Sequence, residues 1–128
     1  MHPKGLQYEF KSNQYNCTYF IDFLGLLTCT ELPWIGVSAD RFAISRDGEI
    51  LPIEVKCPET CIGKEIETDY LAKDSNGDHC ISDKDRGPMM MLQVQLQIFF
   101  AKAQRGIFVV YSDQGYVQFM VNLSQTLV

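Results

Sequence analysis

Arg41-Phe42-Ala43-Ile44-Ser45-Arg46-Asp47-Gly48-Glu49-Ile50-Leu51-Pro52-Ile53-Glu54-Val55-Lys56 reads as a β-hairpin, and the rest of the chain is organised around it. Phe42 and Ile44 alternate with Arg41, Ala43 and Ser45, the period of a strand. Arg46-Asp47-Gly48-Glu49 carries an Asp-Gly turn, and Ile50 to Lys56 is the returning strand. Side chains alternate faces along a strand, so Leu51, Ile53 and Val55 share one face while Glu54 and Lys56 share the other. The β segment as a whole runs from Ile35 to Lys56, and Pro58 ends it.

Upstream, from Gly5 to about Leu27, Leu6, Phe10, Cys17, Phe20 and Leu24 recur at helical spacing, which predicts a helix closed by Pro33. Downstream, residues 59–88 are polar and loop-like apart from Tyr70-Leu71-Ala72. Met89 to Arg105 alternates in its middle, where Leu92, Val94, Leu96 and Ile98 interleave with three glutamines. Its Met, Leu, Gln, Ala and Lys content and its length nevertheless predict a largely buried helix, stopped by Gly106. Ile107 to Tyr111, a turn at Ser112-Asp113-Gln114-Gly115, and Tyr116 to Leu123 form a second hairpin.

The 128 residues fit one domain, and 46% hydrophobic with 12% aromatic residues can fill a core, which excludes wholesale disorder. No apolar run reaches the length of a membrane span, so no membrane partner is expected. Met1-His2-Pro3-Lys4-Gly5 has no apolar leader, and five cysteines at irregular spacing do not form a disulfide framework. An intracellular chain with reduced thiols is the expectation, and the Asn-x-Ser/Thr triplets at Asn16 and Asn122 then carry no meaning. Eleven Lys and Arg against sixteen Asp and Glu give a net charge of −5, which argues against a passive nucleic-acid-binding module. It does not argue against a metal-dependent nuclease, whose carboxylates hold the cations that meet the phosphate.

Chemistry concentrates at Asp40 and Glu54-Val55-Lys56. Two carboxylates at the end of a hairpin can share a hard divalent cation, the Val55 carbonyl is a further candidate ligand, and Lys56 can orient an attacking water and offset phosphate charge. Alone, such residues more often form a solvated ion pair. Their context is more specific. Gly36-Val37-Ser38-Ala39-Asp40-Arg41-Phe42, the Asp47-Gly48 turn and Ile53-Glu54-Val55-Lys56-Cys57-Pro58 resemble the core of the PD-(D/E)XK nucleases, and more narrowly the YqaJ viral recombinase family that includes the phage lambda exonuclease. That family reads Ser-Pro-Asp-Gly, a turn, Glu-x-Lys-Cys-Pro, then a helix with Gln-Val-Gln. Gln93-Val94-Gln95 stands in the right place, and Ile107 to Tyr111 resembles the strand after it. Gly5-Leu6-Gln7-Tyr8-Glu9, with Ser12 three residues on, resembles the family's Gly-x-x-x-Glu helix.

The resemblance covers about Gly5 to Leu123. It implies an α/β, restriction-endonuclease-like core, a mixed sheet of about four strands flanked by helices, in one N-terminally shortened domain over residues 1–128. By the same resemblance Asp40, Glu54, the Val55 carbonyl and Glu9 bind Mg2+ or Mn2+, Lys56 acts on the nucleophilic water with Gln93 positioning it, and Ser38 and Gln95 contact substrate. On a helix Gln93 and Gln97 share a face while Gln95 points nearly opposite. The implied activity is hydrolysis of DNA phosphodiesters, exonucleolytic from duplex ends, in recombination. The implied partners are DNA, further copies of the chain in a ring-like trimer, and a single-strand annealing protein. A catalytically impaired nuclease fold that only binds DNA or protein is the competing expectation, and RNA or endonucleolytic cleavage on the same core a third. The chain departs from the family at Ser38-Ala39-Asp40-Arg41, at Gly87-Pro88-Met89-Met90-Met91, and in lacking the preceding helices with their basic residues for the DNA end.

Other signals read as structure. Asp74 to Asp85 mimics a calcium loop but has His79 at the glycine position and Asp85 at the bidentate glutamate position, so a polar hairpin loop is expected. Cys57, Cys61, His79 and Cys80 lack finger spacing; buried thiols and a solvated histidine are expected. Trp34 is read as a core or rim aromatic, and Met89-Met90-Met91 as packing at a helix start.

Overall fold

A computed structural model describes residues 17–21, 27–31, 33–59, 63 and 65–124, with the backbone alone for 17–21. Along the chain come β1 (Cys17–Ile21), β2 (Arg41–Ser45), β3 (Ile50–Lys56), β4 (Leu71–Lys73), β5 (His79–Ile81), α1 (Gly87–Phe100), β6 (Arg105–Ser112) and β7 (Gly115–Asn122). Five strands form one mixed sheet in the order β1-β2-β3-β6-β7, and β4 and β5 form a small sheet of their own. The fold is α/β. The main sheet has five strands rather than about four, and one helix, α1, packs on it among the described residues.

The β2–β3 hairpin forms where expected, with Arg41 opposite Ile53 and Ile44 opposite Ile50. Its turn is a three-residue loop, 46–48. Ser45 N–H donates to the Glu49 carbonyl and Gly48 N–H to the Ser45 carbonyl, while Gly48 takes the left-handed conformation at φ 87°. The Ser45 hydroxyl adds a bond to the Asp47 carboxylate and accepts one from Glu49 N–H.

β3 also pairs with β6, in parallel, with Glu54 beside Phe108 and Lys56 beside Val110. A parallel pair cannot be closed by a tight turn. The crossover between them therefore holds the β4–β5 hairpin and α1. Leu51, Ile53 and Val55 join Ala43, Ile107 and Val109 in one buried cluster. On the opposite face Phe108 and Val110 meet Val94 and Ile98 of α1, together with Tyr70, Ile81, Ala103 and Val121. Burying such side chains contributes about 1.5–3 kcal/mol each. Residues 106–110 are thus buried on both faces, which is why β6 reads as a continuous apolar run.

One helix expectation fails and the bounds of another shift, each for an identifiable reason. Within the span Gly5 to Leu27, the described part, Cys17–Ile21, is a strand paired antiparallel with β2, Phe20 facing Ala43 and Ile21 facing Phe42. Cys17-Thr18-Tyr19-Phe20-Ile21 is aromatic and β-branched, a composition that suits a strand when a partner edge is available. Further along, α1 begins at Gly87 with Pro88 in its first turn, and it stops at Phe100 rather than Arg105. Lys102, not Gly106, takes the left-handed turn at φ 58°; Ala103 N–H donates to the Ile98 carbonyl and Lys102 N–H to that of Phe99, a Schellman termination.

Gly106 has another function. It lies in β6 beside Pro52, a proline inside a central strand, and a Cβ there would lie 3.0 Å from the Pro52 carbonyl oxygen and 3.0 Å from Cγ1 of Ile98. A missing side chain lets α1 press onto the sheet and makes room for the proline ring. Gly106→Ala is expected to destabilise the protein by about 1–3 kcal/mol, the range for overpacking a core. A denaturant midpoint equal to that of the wild type would contradict this account.

Candidate functional site

Strand alternation places Pro52, Glu54 and Lys56 on the face of β3 that α1 covers. Asp40 sits just ahead of β2, its N–H bonded to the Ile53 carbonyl (3.1 Å) and its Oδ2 accepting Val55 N–H (2.8 Å). Those two bonds fix the Asp40 carboxylate against the strand that carries Glu54. The Val55 side chain turns to the opposite cluster, as alternation requires.

Glu54 is only 5% exposed, so its carboxylate depends on partners. Gln97 Nε2 donates to Oε1 at 2.7 Å and Gln93 Nε2 to Oε2 at 3.0 Å; the Lys56 ammonium lies 3.0 Å from Oε2 and donates to Gln93 Oε1 at 3.2 Å. The same Gln97 amide reaches the Ser38 carbonyl at 3.0 Å, so one buried glutamine ties the Asp40 loop to Glu54. Burial, and after it the neighbouring Asp40 carboxylate, holds the Glu54 carboxyl above its usual range; the Gln97 and Lys56 hydrogen bonds and the Lys56 charge oppose this. Burial, then Asp40, also pushes the Cys57 thiol up, keeping it protonated and a poor thiolate ligand.

Asp40, Glu54, Lys56, Gln93 and Ser38 open onto one cleft of about 430 Å³, whose wall also includes Tyr70, Arg86 and Met90. The structure therefore brings together most of the residues singled out in the sequence. Gln95 is the exception and corrects the expectation of substrate contact: its Nε2 donates to the Asn122 carbonyl at 2.8 Å, and its Oε1 accepts Ser124 N–H at 2.7 Å. It clamps the end of β7 because position 95 lies across the helix from 93 and 97. Glu9 lies outside the described residues, as does Cys61.

Sequence reasoning assigned no task to Gln97 or Arg86. The available signal was the spacing: 86, 90, 93 and 97 fall on one helical stripe.

The remaining candidates are structural. Asp74 Oδ1 accepts Asn76 N–H at 2.9 Å and Asp78 N–H at 3.0 Å, so the calcium-like loop spends that carboxylate on its own turn. His79 is half-buried in β5 rather than solvated in a loop, Cys29 is buried, and Cys57 and Cys80 are half-buried. Trp34 is 76% exposed, a rim aromatic and not a core one. Among the described residues no set of three or more His, Cys, Asp or Glu is grouped to hold a metal, and no helix is long and apolar enough to cross a membrane.

No family model matches the chain, and no curated protein matches it. A solved structure described as "Crystal structure of SSO0001" is similar at 15% identity with a TM-score of 0.43, over 87% of this chain and 44% of that one. The chain spans less than half the length of that protein.

The raised Glu54 carboxyl has a consequence for stability. Ionising it costs more in the folded than in the unfolded chain, so its contribution is complete below the usual glutamate range, near pH 4, and is lost as pH rises through the higher folded value. In EDTA, Glu54→Gln is expected to gain stability relative to wild type as pH goes from about 4 to 7. Urea midpoints of the two proteins that stay parallel over that window would contradict a strained carboxylate.

Proposed function

We propose that the chain is a metal-dependent nuclease of the PD-(D/E)XK kind that hydrolyses DNA phosphodiesters, acting from duplex ends. One observation carries the reading: a buried glutamate held above its normal titration range, sharing a cleft with an aspartate, a lysine and a bridging glutamine. A merely structural carboxylate would be cheaper at the surface. Two acids drawn together in a cleft are instead what a cation-binding site requires.

The donor chemistry fits a hard divalent ion. Asp40, Glu54 and the Val55 carbonyl are oxygen donors, and Mg2+ commonly takes one or two protein carboxylates and keeps several waters. Two described carboxylates therefore suffice for such an ion, with Glu9 as a proposed third. When bound, the ion supplies a water of lowered pKa and stabilises charge on the phosphate.

The chain's own residues supply the remainder. Asp40 and Glu54 hold their positions through the Val55 N–H and Gln97 bonds. The Lys56 ammonium, on the same strand face as Glu54, offsets charge on the phosphate and orients the attacking water. Gln93 bridges Lys56 and Glu54, which keeps the ammonium aimed into the cleft. Because these groups are set before substrate arrives, little reorganisation is needed when charge develops.

Linear 5′-phosphorylated duplex is expected to be degraded in Mg2+ while a closed circular control survives. Lys56→Ala is expected to cut at least about 100-fold more slowly, the scale for removing one electrostatic stabiliser, with duplex binding in Ca2+ retained. Asp40→Asn should weaken metal binding instead, so that added Mg2+ partly restores its rate. Wild type that binds duplex ends but cuts in neither Mg2+ nor Mn2+ between pH 7 and 9 would refute catalysis and leave a binding module.

A further inference from the structure

We infer that Arg86 is a substrate-binding residue of this cleft and takes a phosphodiester group of the nucleic-acid strand flanking the phosphate at Asp40 and Glu54. The inference rests on the nuclease reading of the cleft. Arg86 occupies the N-cap position of α1, and Arg86, Met90, Gln93 and Gln97 run along one stripe of that helix, from the cleft wall to the buried Glu54. Arg86 and Gln93 are seven positions apart, about 10 Å of helix axis. That separation sets Arg86 apart from the Asp40 and Glu54 end of the cleft, so it meets a different phosphate from the reacting one.

The guanidinium is already oriented. Its Nε donates to Asp69 Oδ1 at 2.6 Å, and its Cζ lies over the Tyr70 ring, 5.1 Å from the centroid. Tyr70 is itself buried and set edge-on against Phe108, so the surface beneath Arg86 is rigid. Both interactions leave the two terminal nitrogens without a hydrogen-bond partner among the described residues, and these are the donors that grip a phosphate in two-point fashion. The first turn of α1 has no acid to compete for them.

Electrostatics gives the residue a purpose. The cleft presents Asp40 and Glu54 to an anionic strand, and Lys56, beside Glu54 and Gln93, serves the reacting phosphate alone. Arg86 is the other cation of the cleft wall, and its ion partner Asp69 does not line the cleft. With the Arg86 side chain 58% exposed, its ion pair with Asp69 does little for the fold, because exposed ion pairs contribute little. Its placement is better explained by a ligand.

The test uses Arg86→Gln and Arg86→Lys with a short 5′-phosphorylated DNA duplex. In Ca2+, Arg86→Gln is expected to bind about tenfold more weakly, with the slope of log K against log salt reduced by about one, the signature of a single lost phosphate contact. Arg86→Lys should restore the slope but only part of the affinity. In Mg2+, KM should rise while kcat stays within about twofold. A neutral methylphosphonate walked along the strand should weaken wild type at one position and leave Arg86→Gln unaffected there, since the two changes remove one contact. Cutting by wild type with unchanged affinity and slope in Arg86→Gln would overturn the Arg86 assignment and leave the nuclease reading standing. Arg86-dependent binding without cutting would do the reverse. A wild type that binds no duplex would overturn both.

Discussion

A carboxylate buried beneath a helix is the constraint on which the other features depend. Glu54 sits in the middle of a sheet, next to a second acid, where an unpaired charge would cost several kcal/mol. The chain offsets that cost with a lysine two residues on and with two glutamines one helical turn apart, the spacing that presents both to the same point. For those amides to reach, α1 must lie close to the sheet. Gly106 opposite Pro52 permits that approach, and the parallel pairing of β3 with β6 places α1 in the crossover between them.

The same arrangement explains why α1 is so weakly amphipathic in sequence. Its sheet-facing side is part apolar, at Val94 and Ile98, and part amide, at Gln93 and Gln97, while Met89 and Leu92 are exposed. A helix serving only the core would not bury glutamine. One that seats a polar cleft must, and the hydrogen bonds to Glu54 and to the Ser38 carbonyl satisfy what it buries. Stability is thereby given up locally to seat a polar cleft. A site made of like charges is held in place by the surrounding core, with Phe108 and Val110 beside it on the same face.

An acidic chain acting on an acidic polymer needs cations placed where the polymer lies. In the proposed reading the carboxylates recruit one kind, and Lys56 and Arg86 supply the other. Overall charge is then a poor guide to the partner: −5 across the chain coexists with two basic side chains at one cleft. Gln95 shows the converse. It belongs to the same Gln-Val-Gln triplet as Gln93, yet it serves the scaffold by pinning the end of β7.

The hairpins were legible in the amino-acid sequence because their determinants are local. Alternation set the faces of β3, the glycine after Asp47 set the turn, and the apolar run at 107–110 marked a strand buried on both sides. Pairing of Glu54 with Lys56 on one face followed from the same two-residue period. The end of α1 was not legible, since Lys102 adopts a conformation that favours glycine, held there by the Ala103 and Lys102 N–H bonds to the Ile98 and Phe99 carbonyls. Nor was β1, whose residues also fit a helical spacing until the free edge of β2 gave them a partner. Local periodicity and turn chemistry decided the strands; the tertiary structure decided which glutamine meets Glu54, where the helix stops and which arginine faces the cleft, because those depend on contacts between residues far apart in the chain.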